Sequence, residues 1–277
     1  MDSDLQLSAP SSSLFVFPPN VDPRTLTPPQ AGSTLSAPLF SIPDSIFNAA
    51  LDFRVPITIA ILYATTVVSV NRYNKSRGNK AWGISKTKPF FWFVVVHNVL
   101  LAVYSAWTFL GMWGALQRSV VNPWGADGLV GTVDSLCKIQ GARGLGNAVV
   151  YNPETSAWTS QSPFTIRLGD NGAPDATDLG RLWNEGLAFY GWFFYLSKFY
   201  EVLDTFIILA KGKRSSTLQT YHHAGAMMCM WAGIRYMSPP IWMFVFVNSA
   251  IHTLMVREPV TTPSRLVLTK ISIHTTP

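Results

Sequence analysis

Charge is scarce in this chain. Only 13% of its 277 residues are charged, against about 25% in an ordinary soluble domain. Meanwhile 48% are hydrophobic and 13% aromatic. That shortage argues against a fold immersed in water and points to a chain that crosses a membrane several times. Cysteine is nearly absent: Cys137 and Cys229 are too few for a disulfide framework, and two inert buried thiols are expected rather than one bridge. No signal peptide is evident, because Asp2 and Asp4 stand where a basic n-region belongs and no apolar core follows. Insertion therefore relies on the first spanning helix. No internal repeat is present.

The first 43 residues are rich in Ser, Thr and Pro, with Pro18-Pro19 and Pro28-Pro29. Such a composition buries too little apolar surface to order itself, so residues 1–43 read as a flexible tail. Leu39 to Phe53 offers a short interfacial helix. Apolar runs then follow at Val55–Val70, Pro89–Trp113, Gly186–Ala210, Leu218–Tyr236 and Ile241–Val256. With their flanks they suit about 30 Å of hydrocarbon. The fold class is therefore all-α, a polytopic membrane helical bundle, with its membrane domain over 44–256.

Loop charge orients the bundle. Arg72, Lys75, Arg77, Lys80, Lys86 and Lys88 separate the first two spans, and Lys211, Lys213 and Arg214 separate the third and fourth, with no acidic residue among either set. The loop 114–185 mixes both signs. Positive residues stay cytosolic, so the N-terminus and the long loop are expected to be luminal.

Three spans carry polar faces. On a helix, Lys198, Glu201, Asp204 and Thr205 fall within about 120° of arc. A charge at the bilayer centre costs about 2.5–3.5 kcal/mol, so this face must look into a bundle, either as a structural ion-pair network or as a site. Span four opens with LQTYHHAG, where Gln219, His222 and His223 share one side. Adjacent imidazoles suit metal ligation, nucleophilic attack or general base work. Span five carries Asn248 and His252 one turn apart, with Met255 beyond; alone, such a pair can simply bond neighbouring helices. His97-Asn98 in span two is structural or pocket-lining. The aromatic run Phe189, Tyr190, Trp192, Phe193, Phe194 and Tyr195 reads as packing and interface residues.

Several function classes meet these residues. A membrane di-iron desaturase or hydroxylase needs many ligands, and five histidines without any H-x-x-x-H pair argue against it. No metal site is expected. A transporter or receptor would also bury charge, but the tandem histidines and the lack of Gly/Pro-broken helices weigh against that class. A lipid-modifying acyltransferase fits better, since polar faces near the cytosolic ends suit a substrate with one greasy and one charged half.

Lys198-Phe-Tyr-Glu201-Val-Leu-Asp204-Thr205 resembles the K-x-x-E-x-x-D-T motif of the ELO family of very-long-chain fatty acid elongases. Gln219-Thr-Tyr-His222-His223 resembles its H-x-x-H-H box, with Gln at the first position, and Asn248-Ser-Ala-Ile-His252-Thr-Leu-Met255 resembles the start of N-x-x-x-H-x-x-M-Y. The likeness runs from Val55 to Met255, and the Pro-rich head and long loop resemble a fungal branch. The resemblance implies a multi-pass endoplasmic reticulum protein of seven spans, about five of them present here, with helices around an acyl tunnel. It implies condensation of malonyl-CoA with a long-chain acyl-CoA to give 3-oxoacyl-CoA, CO2 and CoA, without metal or redox cofactor. Implied partners are acyl-CoA, malonyl-CoA, membrane lipid and the other elongation-cycle enzymes, and no nucleic acid. His222 is then the leading nucleophile or base, His252 assists and His223 positions. Lys198 steadies an anion or Glu201, Asp204 and Gln219 orient imidazoles, and Asn248 donates to a developing oxyanion; Thr205 completes the first motif. Gln219 tilts the substrate slightly toward polyunsaturated chains.

The sequence leaves the family pattern after Met255. Where members continue M-Y-x-Y-Y and add two helices, this chain reads VREPVTTPSRLVLTKISIHTTP. The segment 257–277 reads as an atypical tail, either translated intron (Val-Arg as GTG-AGA resembles a splice donor) or a truncated isoform. An open tunnel would leave unsatisfied groups, so a catalytically inactive elongase-like protein is the alternative reading.

Overall fold

The computed structural model describes residues 42–255, except 142–143, 146–148, 153–154, 156, 161–167, 169–173 and 175–179. The Ser/Thr/Pro-rich head up to residue 41 and the segment from residue 256 onward lie outside the described residues. The described part is a helical bundle with one short hairpin, β1 (Val149–Asn152) paired antiparallel with β2 (Ala157–Ser160).

The first two apolar runs form α2 (Arg54–Ser76) and α3 (Lys88–Ser119), both long and apolar enough to cross a membrane. Each turns much of its surface outward: Ile61, Leu62, Val68, Val96, Val103 and Leu110 are exposed, as lipid-facing side chains must be. Thr87 caps α3 by accepting from the Phe90 N–H at 3.4 Å, and Pro89 occupies the first turn, where a missing N–H is harmless.

The third run is not one helix. It enters through a π-turn at Trp183–Leu187, continues as α5 (Ala188–Tyr200), tightens at Glu201 and resumes as α6 (Val202–Ala210). Glu201 keeps φ −62° but has ψ −13°, and its carbonyl accepts from Asp204 N at 3.1 Å, a three-residue turn in place of a four-residue one. Within the apolar run Gly186–Ala210 the backbone thus forms two helices around a tight turn. That turn coincides with the pull of its side chain toward Lys198, described below. Run four is α7 (Thr217–Arg235) and run five α8 (Ile241–Met255). Between them Ser238-Pro239-Pro240 ends one helix and starts the next.

Packing runs α2 on α7, α7 on α5 and α8 on α3. The core is dominated by α5: Phe189, Trp192, Phe194 and Tyr195 are buried against Met112, Met230, Ile234 and Val245. The aromatic run is therefore core packing. Helix α7 comes close to α5 because a Cβ on Gly191 would stand 2.7 Å from Ile234.

Helix α1 (Asp44–Ala50) falls within the stretch where a short interfacial helix was expected, and it packs one side against the bundle. Phe47 and Leu51 are buried, and Phe47 stacks on Trp192 with centroids 5.8 Å apart. Its C-terminal carbonyls take three aromatic donors: Trp192 Nε1 to Phe47 O at 3.4 Å, Tyr195 Oη to Ala50 O at 2.8 Å and Trp231 Nε1 to Leu51 O at 2.8 Å. The two cysteines correct another expectation, since both are free and exposed. Cys229 lies on the outer side of α7, where a thiol behaves as one more small apolar group.

The loop ends are tied by buried charge. Arg181 donates to Asp134 on α4 (Gly128–Cys137) at 2.7 Å, and Arg118 donates to Glu185 at 2.9 Å. At the opposite end, Asn74 Nδ2 donates to Leu209 O at 2.8 Å, and its Oδ1 accepts from Trp82 Nε1 at 2.8 Å. Asn71 exchanges two hydrogen bonds with the backbone of Ser215, at 3.0 and 3.1 Å. These contacts hold the α2–α3 and α6–α7 turns together. Gly212 closes the second turn at φ +72°, and a Cβ there would lie 2.5 Å from the Asn79 carbonyl. Gly212→Ala is accordingly expected to cost roughly 1–3 kcal/mol, read as a lower unfolding temperature of the purified protein in detergent.

Candidate functional site

Ser216 caps α7 by accepting from the Gln219 N–H at 3.1 Å. The cap is of the ordinary Ser type, and it sets the helix so that Gln219, His222 and His223 occupy its first two turns. The α6–α7 turn, pinned by Asn71 and Asn74, brings these residues beside Asp204 and Thr205.

Lys198 is at the centre. Its Nζ lies 2.6 Å from Glu201 Oε1 and 3.1 Å from Asn248 Oδ1 on α8, and it sits 3.9 Å from the centre of the Phe194 ring. Lysine and glutamate are 2% and 3% exposed. Bare burial of either charge would be prohibitive; together, with the amide and the ring face, every direction of the ammonium is occupied. Ser197 Oγ adds a contact of 3.4 Å to the same carboxylate oxygen. The bond to Asn248 joins the first motif to the third across 50 residues of sequence.

A second chain of contacts joins the first motif to the second. Thr205 Oγ1 lies 2.9 Å from Tyr63 Oη of α2 and accepts from Gln219 Nε2 at 3.4 Å. The Tyr63 ring meets the His223 ring edge-on at 6.1 Å, and His223 in turn meets His222 at 5.6 Å. His223 is buried and its Nδ1 has no hydrogen-bond partner among the described residues; His222 is exposed. Both His223 and His252 are within electrostatic reach of Glu201, Lys198, Asp204 and His222. Asn248 and His252 are half-buried, flanking the buried line Ile241, Val245 and Ser249 of α8.

Asp204 turns elsewhere. Its Oδ1 lies 2.8 Å from His97 Nε2 on α3. Among the described residues it makes no hydrogen bond to an imidazole of the tandem pair, and Gln219 is engaged with Thr205. His97, whose role the sequence left open, thus joins the site, while Asn98 is half-buried beside it. Tyr63 was missed entirely. Its only signal was a phenol in the middle of an uncharged span, where a buried hydroxyl needs a partner.

The family model described as ELO: GNS1/SUR4 family matches residues 48–256. Among curated proteins, one of Dictyostelium discoideum, named provisionally as a fatty acid elongase, is 38% identical over 74 residues, 26% of this chain and 25% of that protein. Fatty acid elongase 2 of Trypanosoma brucei brucei is 30% identical over 78 residues, 28% of this chain and 29% of its own length. Fatty acid elongase A of D. discoideum is 32% identical over 73 residues, 26% of this chain and 27% of its own. The chain thus spans little more than a quarter of the curated relatives it matches. No solved structure matches it significantly.

The Lys198–Glu201 pair generates a direct test. Lys198→Met leaves a buried carboxylate unpaired and is expected to cost about 3–5 kcal/mol. Adding Glu201→Gln removes that charge and should restore part of the loss. Monodisperse yield and unfolding temperature in detergent measure both; a double variant no better than the single would mean that the pairing is not the source of the cost.

Proposed function

The chain belongs to the ELO family, and on that footing we propose that it is a fatty acid elongase acting at the condensing step. It joins the two-carbon unit of malonyl-CoA to a long-chain acyl-CoA, releasing CO2 and CoA and leaving a 3-oxoacyl-CoA. The observation that carries this reading is the Lys198 contact with both Glu201 and Asn248, because it unites polar faces from separate helices in one interior. That is the arrangement a site needs if substrate is to meet all three motifs.

In this reading the exposed His222 is the imidazole that a substrate reaches, acting as acyl acceptor or base. His252 assists from α8, and His223, buried against Tyr63, positions its neighbour. Decarboxylation of the malonyl unit supplies the carbon nucleophile. That carbon bonds to the acyl carbonyl as the acyl group leaves its imidazole or its CoA thiolate. Asn248 spends its carbonyl on Lys198 and so keeps its NH2 for an oxyanion. Gln219 aligns Thr205 and Tyr63. The chemistry requires no metal or redox cofactor. The 3-oxo product calls for a reductase and a dehydratase as working partners.

We further propose that the membrane is the endoplasmic reticulum and that residues 44–256 form the membrane domain. Both basic turns lie at one end of the bundle, since Asn71 and Asn74 hold them together. This favours a cytosolic site and a luminal N-terminus.

Microsomes expressing the chain are expected to incorporate labelled malonyl-CoA into a longer acyl product. His222→Ala and His252→Ala should each lower that incorporation by at least about 100-fold at equal protein level. Full activity in His222→Ala would remove that imidazole from the chemistry.

A further inference from the structure

Asp204 is the acidic residue of the first motif that Lys198 does not engage directly. Its partner is His97, a residue of α3 outside all three motifs, with no exposed side-chain area. Three contacts fix that imidazole. Phe93, one helical turn earlier, stacks on it at 6.1 Å and 20°; Tyr200 lies 5.0 Å away at 40°; and Nε2 meets Asp204 Oδ1 at 2.8 Å. Its other nitrogen, Nδ1, is buried and has no hydrogen-bond partner among the described residues.

These partners dictate the tautomer. A carboxylate only accepts, so Nε2 carries the hydrogen. A second hydrogen on Nδ1 would be a buried donor with nothing to receive it, whereas a bare lone pair there is the lesser loss. In that tautomer His97 donates once to Asp204 through Nε2 and leaves the second carboxylate oxygen unclaimed. The Asp204 side chain is 32% exposed, so its remaining lone pairs are accessible. The carboxylate is within electrostatic reach of His223 and His252.

We infer that His97 is a positioning residue that holds the Asp204 carboxylate in one orientation, as the partner for an imidazole that takes up a proton during the reaction. The inference rests on the elongase reading above. No bond changes at His97 itself; it donates the same hydrogen bond throughout. The pattern is that of a second partner orienting a working group.

The experiment uses the full chain, purified in nanodiscs and assayed with malonyl-CoA and a long-chain acyl-CoA. His97→Leu is expected to lower kcat about 10–100-fold, with KM for acyl-CoA little changed. His97→Gln, whose amide N–H reaches the position of Nε2–H, should recover most of that loss. In the Asp204→Ala background, His97→Leu should do no further damage. Full additivity of the two changes, or equal loss in the Leu and Gln variants, overturns the inference in favour of plain packing. A second measurement needs no turnover. In protein carrying 15N-histidine, His97 should show a protonated Nε2 and a bare Nδ1, and Asp204→Ala should move the Nε2 resonance; an unmoved resonance overturns the pairing. A wild-type chain that shows this signature without condensation defeats the elongase reading and the catalytic part of this inference, while the contact stands.

Discussion

The low dielectric of a helical bundle does not tolerate an unpaired charge, and Lys198 is where that constraint acts most strongly. Its ammonium is almost fully enclosed, so a carboxylate, an amide oxygen and an aromatic face must all converge on it. Each lies where the bundle must supply it: Glu201 at the tight turn, Asn248 on α8 and Phe194 on α5. The turn between α5 and α6, the seating of α8 and the aromatic face of α5 all meet at this one ion pair. Replacing such a pair by apolar residues is often neutral or better for stability.

Much of this was legible in the sequence because helix faces are local. Lys198, Glu201, Asp204 and Thr205 share an arc by the helical period alone, and so do Gln219, His222 and His223. Low charge and long apolar runs marked the bundle, and the unopposed lysines and arginines marked its basic turns. What was not legible is pairing across helices. Nothing in the neighbourhood of Asp204 says that its partner lies 107 positions earlier, in His97, and nothing near Thr205 says that Tyr63 will meet it 142 positions away. The break at Glu201 was equally hidden, since no Pro or Gly marks it; the side chain, rather than the backbone, accompanies the turn. Cysteine burial was misjudged because composition says how apolar a helix is but not which residues face lipid.

The two ends of the bundle are secured by different chemistry. At one, indole and phenol donors from Trp192, Tyr195 and Trp231 meet the last carbonyls of α1, groups a helix cannot satisfy itself. At the other, asparagine amides bridge α2 to the α6–α7 turn. Between these ends the interior is largely aromatic and aliphatic, which leaves the polar motif faces as its main interruption and gives their contacts a well-defined geometry.

The asparagine bridges also bear on how the chain assembles. Asn71 and Asn74 emerge from synthesis early, whereas their acceptors at Ser215 and Leu209 follow 144 and 135 positions later. Through that interval Asn71 and the Nδ2 of Asn74 lack those acceptors, while the Asn74 Oδ1 can already take the indole of Trp82, 8 positions on. Both asparagines stand in the last two turns of α2, among Arg72, Lys75 and Arg77, and basic residues of this kind favour the wet boundary of a bilayer. The first span can thus insert without burying an unsatisfied amide, and the later hairpin of α6 and α7 docks by displacing solvent from a surface already prepared. The bonds that bring the motifs together join segments made far apart, so a chain halted before residue 215 would hold its first spans without its site.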